Sequence, residues 1–236
     1  MSDFVVVDEK SRRRKARKIA AVINDFGCLL SGKLILDVGC GSGIISRELA
    51  NHENEVIAMD ISMRYVKKGL CGNRLTFLQA DASALPFIDS SIDVIICNHI
   101  LEHVHNKQRV IFEIKRVMKE GAVGYIAQGN RLWPIEPHYR LPFLSYLPRP
   151  LAERYLSALK GKKSYNITLP TYWEVCCLLR HNFGYVRNVT TSVVSNPSRY
   201  HAEDLVPFGT RIAHALQILF RLFTPFLPGW IFIVRK

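Results

Sequence analysis

The segment Leu34-Ile35-Leu36-Asp37-Val38-Gly39-Cys40-Gly41-Ser42-Gly43 constrains this chain more than any other. An apolar run of strand type ends in an acid and is followed at once by glycines at alternate positions. Such a turn lets backbone N–H groups, and the start of the next helix, approach a ligand that any Cβ would push away. A dinucleotide fingerprint requires G-x-G-x-x-G with a pyrophosphate over the helix start. Here the last glycine comes one place early and Ile44 takes the expected position. Asp37 would also repel a pyrophosphate, so the turn suits a ligand that carries positive charge.

Around this turn the hydrophobic pattern alternates between short apolar runs and helical periods. It predicts an amphipathic helix with a basic start over 10–30, carrying Arg12, Arg13, Arg14, Lys15, Arg17 and Lys18 and then Ile19, Val22, Ile23 and Phe26 at helical spacing. Strands are predicted at 33–38, 55–59, 75–79, 92–97 and 123–128, and helices at 44–51, 62–70 and 106–119. Alternation of this kind implies parallel strands joined by right-handed crossovers. From Trp133 to Pro150 prolines and aromatics crowd the chain, and the stretch 131–165 reads as an ordered lid without regular elements. A helix at 171–181 and strands at 185–194 and 229–235 complete the pattern, with an apolar insertion in 195–228. A length of 236 residues suits one domain, with 33–130 as its core.

The surplus of basic residues gives a net charge of +12, which favours polyanionic partners: nucleic acid, anionic lipid or phosphorylated substrates. Six cysteines show neither a C-x-x-C pair nor Cys/His spacing for a metal. Reduced thiols in the cytoplasm are the expectation, with no disulfide and no metal site. Asp8 and Glu9 precede the basic run, and Asn24 and Asp25 cut short the apolar stretch after it. That is not the pattern of a signal peptide.

Over 33–130 the glycine turn and the strands that follow resemble the class I S-adenosylmethionine (SAM)-dependent methyltransferases, in particular the group acting on quinones, sterols and small molecules. The resemblance implies SAM as cofactor. It also implies a Rossmann-like α/β fold: a mostly parallel seven-stranded sheet with helices on both faces, an antiparallel last strand and inserted lid segments. By resemblance Asp37, Gly39, Gly41 and Gly43 line the methionine part of SAM. Asp60, which follows the turn at roughly the usual 20 residues, takes the ribose hydroxyls. Asp81 and Ala82 meet the adenine, with Asp81 toward the exocyclic amine and Ile61 and Met63 against the ring. Asn98 ends the fourth strand, and Leu101-Glu102-His103-Val104 is a common form of the next family motif. Residue by residue, Asp60 could instead cap a helix and Asp81 could form a turn.

Methyl transfer from a sulfonium is an in-line displacement that needs alignment and, for a hydroxyl acceptor, a base. Asn98-His99-Ile100-Leu101 replaces the Asn/Asp-Pro-Pro-aromatic motif of enzymes that methylate base amino groups. That argues against base amino-methylation and leaves other RNA methylation open. His99, His103 and His138 are candidate bases, with Glu136 and Tyr139 close in sequence to the last. His138 is preferred because lids supply substrate contacts, and His103 is second. In the insertion, Arg211, His214, Gln217 and Arg221 share a stripe between apolar residues, in a run too short to span a membrane. It suits burial against the sheet or in a dimer contact, or else peripheral binding to an anionic membrane. Together these features point to O-methylation of a small or lipid-linked acceptor, of saccharide or isoprenoid type, at the cytoplasmic membrane face. RNA methylation and a non-catalytic SAM-binding role are the alternatives.

Overall fold

The computed structural model describes residues 8–50, 54–67, 69–70, 72–206 and 209–236; Cys71 and parts of the segments 44–51, 62–70 and 195–228 lie outside them. In chain order, α1 (Glu9–Phe26) leads into β1 (Leu34–Val38), and α2 (Ile44–Leu49) starts at the last glycine of the turn. There follow β2 (Glu55–Asp60), β3 (Leu75–Gln79), β4 (Ile92–Asn98), α3 (Lys107–Val117) and β5 (Met118–Gly129). The small strands β6 (Ile135–Glu136) and β7 (Leu141–Pro142) form a hairpin ahead of α4 (Arg149–Lys160). After them come α5 (Tyr172–Asn182), β8 (Tyr185–Asn188) and α6 (Thr190–Ser195), and then α7 (Thr210–Ala215), α8 (Gln217–Leu222) and β9 (Gly229–Arg235).

The sheet order is β3-β2-β1-β4-β5-β9-β8, with β9 antiparallel to both its neighbours and the pairs from β3 to β5 parallel. This is the Rossmann-like arrangement the sequence implies. Alternate residues of each strand enter opposite layers. Val94 and Ile96 join Ile19, Val22 and Ile23 of α1 and Val193 of α6 in one layer. Ile95 and Cys97 join Val110, Ile111 and Ile114 of α3 and Leu179 of α5 in the other. Strands covered on both faces read as near-continuous apolar runs, which is how 94–97 and 122–127 read. Side-chain caps set two boundaries: Asn106 Oδ1 accepts Arg109 N–H at 2.9 Å to open α3, and Thr171 with Glu174 forms a capping box on α5.

Three expectations fail locally. The segment 62–70 forms only a 3-10 turn at Met63–Tyr65, after which Val66 is extended and Lys67 N–H bonds Ser42 C=O at 3.0 Å, so the chain spends its donors on the glycine turn. The strand expected over 185–194 stops at Asn188, whose Oδ1 accepts Thr190 N–H at 2.9 Å and turns the chain into α6. The lid, expected to lack regular structure, contains the β6–β7 hairpin and α4. Its prolines sit where no donor is needed, since Pro148 is the N-cap of α4 and Pro150 lies in its first turn. The lid carries a small core of its own, including Tyr139, Leu141, Leu144, Leu156 and Ile167.

In the apolar insertion Tyr200, Ala202 and Val206 are buried, whereas α7 and α8 are largely exposed. Ala213 is enclosed, whereas Ile218 is 72% and Leu222 69% exposed, and Leu219, Phe223 and Phe226 also face outward. Among the described residues no helix is long and apolar enough to cross a membrane.

Candidate cofactor and acceptor site

β1 delivers the glycine turn to the C-terminal edge of the sheet, where β2 fixes it. Gly39 and Cys40 N–H both bond Met59 C=O, at 2.7 and 2.9 Å. Gly41 N–H bonds Asp60 Oδ2 at 2.9 Å, while Asp60 Oδ1 accepts Ser62 N–H at 3.0 Å. Gly39, Gly41 and Gly43 all have positive φ. A Cβ at Gly39 would stand 1.9 Å from Ile100 Cδ1, and one at Gly43 would stand 2.6 Å from Phe77. At Gly41 it would meet nothing within 4 Å, so that face of the turn is an open cradle.

Asp37 is buried beneath the turn and accepts Ser46 Oγ–H at 2.6 Å. Burial pushes its carboxyl up to about 6 against that hydrogen bond, and the charge of Asp60 adds to the push. Two neighbouring acids favour a cationic guest. A sulfonium bearing an α-ammonium group fits this donor set, and a pyrophosphate does not. Beside Asp60, Ile61 is 58% exposed and offers an apolar surface for a planar ring. Asp81 and the half-buried Ala82 follow β3, and Asp81 Oδ1 accepts both Ser83 N–H and Ser83 Oγ–H at 2.8 Å. Sequence reasoning missed Arg12 as a site residue, giving it only as part of the basic start of the first helix. Arg12 is partly buried on α1 and near enough to Asp37 for the two charges to act on each other. Helical periodicity gives a buried face but not which turn of that face meets a site.

The contact between Gly39 and Ile100 places the β4–α3 loop directly on the cofactor turn. Asn98 ends β4, and His99 follows with φ 60, an uncommon conformation for a residue with a Cβ. Glu102 is 2% exposed and gathers the histidines of this region. Its Oε1 lies 3.0 Å from His138 Nε2, 3.7 Å from His99 Nδ1 and 3.9 Å from His103 Nε2. Gln128 Nε2 on β5 donates to its other oxygen. Glu136, fully buried, holds the far side of His138: its Oε1 meets His138 Nδ1 at 2.8 Å, and its Oε2 accepts the N–H groups of His138 and Tyr139 at 2.9 and 2.6 Å.

Burial works against charge at both Glu102 and His138, and their pairing overcomes it. The imidazole is lifted to about 9 by Glu102 and Glu136, and Glu102 is held below the usual carboxylate range by His138 and His99. His138 is therefore a cation clamped between two carboxylates, with both ring nitrogens engaged. His103, with its ring 5.4 Å from that of His138 and edge-on to it, has its pKa lowered by burial and is neutral near pH 7. Among the described residues, Glu102, His103 and His138 are a group with metal-ligand spacing, their ligand atoms within 4.8 Å of one another. A ring already bonded to a carboxylate on each side suits a protonated imidazole better than a ligand. Glu102 and Glu136 gather these histidines, whereas the sequence offered the first only as a motif residue and the second only as a neighbour of His138. The signal available was the Glu-x-His spacing at 136–138 beside the Glu-His pair at 102–103.

A family model described as "Methyltransferase domain" matches residues 36–126, the span that carries the glycine turn, Asp60, Asp81 and the histidine loop. Residues 36–126 form a class I SAM-dependent methyltransferase domain. SAM is the cofactor of this methyltransferase domain, in accord with the acidic character of its cradle. The demethylmenaquinone methyltransferase of Renibacterium salmoninarum is 29% identical over 138 residues, covering 58% of this chain and 57% of that protein. The ubiquinone biosynthesis O-methyltransferase of an Azoarcus species is 32% identical over 116 residues, 45% of this chain and 48% of that one. The chain thus spans about half the length of the curated relatives it matches. A SAM-dependent methyltransferase from Methanosarcina mazei superposes with a TM-score of 0.55 at 23% identity, over 91% of this chain and 96% of the other, and shows the shared fold.

Two outcomes follow from this geometry. Gly41→Val puts branched carbon into the open cradle at a left-handed backbone position and should abolish SAM binding in titration calorimetry, while Asp60→Ala should weaken it by about 1.5–3 kcal/mol. Unchanged affinity in a folded Gly41→Val protein would refute the cradle assignment. The second outcome is a pH dependence. His138 has a folded pKa of about 9 against an ordinary value of 6.5. The stability it contributes, on the order of 3 kcal/mol, is complete below about pH 6.5 and is lost as pH rises through about 9. The melting temperature should fall across that window, and His138→Gln should flatten the slope; an equal slope in the variant would remove His138 as its source.

Proposed function

We propose that this protein methylates a hydroxyl group of a small or lipid-linked acceptor, of isoprenoid or saccharide type, at the cytoplasmic face of a membrane. The observation that supports this reading is the contact of the β4–α3 loop with the glycine turn, in a loop where His103 lies 3.9 Å from the buried Glu102 carboxylate. When bound, SAM supplies an electrophilic methyl group on a sulfonium. In this reading Asp37, Gly39, Gly41, Gly43, Asp60, Ile61, Asp81, Ala82 and Asn98 hold the donor. His103 accepts the acceptor's hydroxyl proton as the new C–O bond forms and the C–S bond breaks. Glu102 orients His103 and stabilises the imidazolium that results. His138 keeps the lid, residues 131–165, docked on Glu102 so that water is excluded.

The division of labour departs from a lid histidine acting as base. A base needs a free nitrogen in its neutral form, and His138 has neither. The names of the R. salmoninarum and Azoarcus relatives, which concern menaquinone and ubiquinone biosynthesis, support an isoprenoid-type acceptor. The outward-facing apolar side chains of α7 and α8 support a membrane-side position.

His103→Ala should lower turnover on a quinol-type acceptor by roughly 10²–10⁴ with SAM affinity nearly intact. His138→Gln should lower turnover less, and should raise the uncoupled loss of methyl groups to water. Full activity of His103→Ala, with collapse in His138→Gln alone, would overturn the assignment and restore His138 as the base.

A further inference from the structure

At the β8 edge of the sheet a cavity of about 590 Å³ is lined by Tyr172, Arg187, Asn188, Thr191, Gln217 and Arg221, among others. β8 and β5 are both antiparallel to β9, so they run in the same direction. Asn188, the last residue of β8, therefore lies at the same C-terminal edge as Asn98 and the histidine loop. Among the described residues no ion pair engages Arg187 or Arg221. The Arg187 guanidinium lies over the Phe26 ring, 4.9 Å from its centroid. The Nδ2 amide of Asn188 is buried beside Tyr172 and has no partner at ordinary hydrogen-bond geometry.

Two guanidiniums outside any ion pair, with the Asn188 amide beside them, make a cationic lining suited to a phosphate oxyanion. α8, which supplies Gln217 and Arg221, also exposes Ile218, Leu219 and Leu222, and Phe223 and Phe226 continue the apolar surface. A free phosphate makes no use of such a surface; an amphiphile does. We propose that this cavity seats the phosphate of a lipid-linked acceptor, with its hydrocarbon chain lying along the apolar face of α7 and α8. The assignment rests on the reading of the acceptor as lipid-linked.

The test is calorimetric titration of the full chain with decyl phosphate, inorganic phosphate and decyl maltoside, with S-adenosylhomocysteine binding and thermal melting as parallel measurements. Decyl phosphate should bind at least about tenfold more tightly than either of the other two. Arg187→Gln with Arg221→Gln should reduce its affinity by a further factor of about ten or more, and Leu219→Ser with Leu222→Ser should bring it down toward that of inorganic phosphate. Folding and S-adenosylhomocysteine binding should not change. If the double arginine variant is unstable, Arg221→Gln alone carries the same test, because Arg221 is exposed on α8. The proposal is overturned if the arginine variants keep full affinity for decyl phosphate. It is overturned equally if inorganic phosphate binds as tightly, which would assign the cavity to a soluble anion, or if decyl maltoside does, which would leave only apolar contact. Failure of wild-type protein to bind S-adenosylhomocysteine would refute the methyltransferase reading instead.

Discussion

The charge buried on Glu102 is the interaction on which the acceptor side of this molecule depends. A carboxylate at 2% exposure is costly unless it is paired and hydrogen-bonded. Here the pairing is supplied from three directions: Gln128 on β5, His138 from the lid, and the neighbouring histidines of its own loop. Removing His138 would take from Glu102 and Glu136 the cation they share. The segment 131–165 meets the rest of the fold through His138 on Glu102 and Arg131 near Glu174, and it packs on a small apolar core of its own.

On the cofactor side the constraint is steric and electrostatic together. Gly39 and Gly43 are glycines because Ile100 and Phe77 fill the space a side chain would take, whereas Gly41 is a glycine because the space beside it must stay open. Asp60 ties the turn to β2 through the Gly41 N–H, so one carboxylate both shapes the cradle and lends it negative charge. The contact of Gly39 with Ile100 joins the two halves, so movement of the histidine loop would be felt at the turn.

Much of this was legible in the sequence, and the failures have physical causes. β9 appears at its expected bounds because an unbroken apolar run between turn residues has few alternatives, and β3 does so because its short β-type run follows a glycine and asparagine. The turn residues were legible because only glycine tolerates their backbone. The helix expected over 62–70 failed because tertiary hydrogen bonds to the glycine turn outweighed local propensity. The lid was misjudged because proline count says nothing about whether each proline falls at a helix start. The roles of His103 and His138 could not be separated in the sequence, since they depend on Glu102 and Glu136 arriving from elements far apart along the chain. The exposure of Leu219 and Leu222 was equally hidden: the same apolar arc fits a core or a surface, and only the packing decides.

The claim that a buried Glu102 charge holds the lid on the cofactor turn is tested most directly by hydrogen–deuterium exchange of residues 131–147 in Glu102→Gln. The substitution keeps the shape, removes the charge and turns one of the two acceptor oxygens into a donor. Faster exchange through the β6–β7 hairpin, with the protection of β1, β4 and β5 unchanged, is the expected result. Wild-type protection of the hairpin in a folded Glu102→Gln protein would contradict the account.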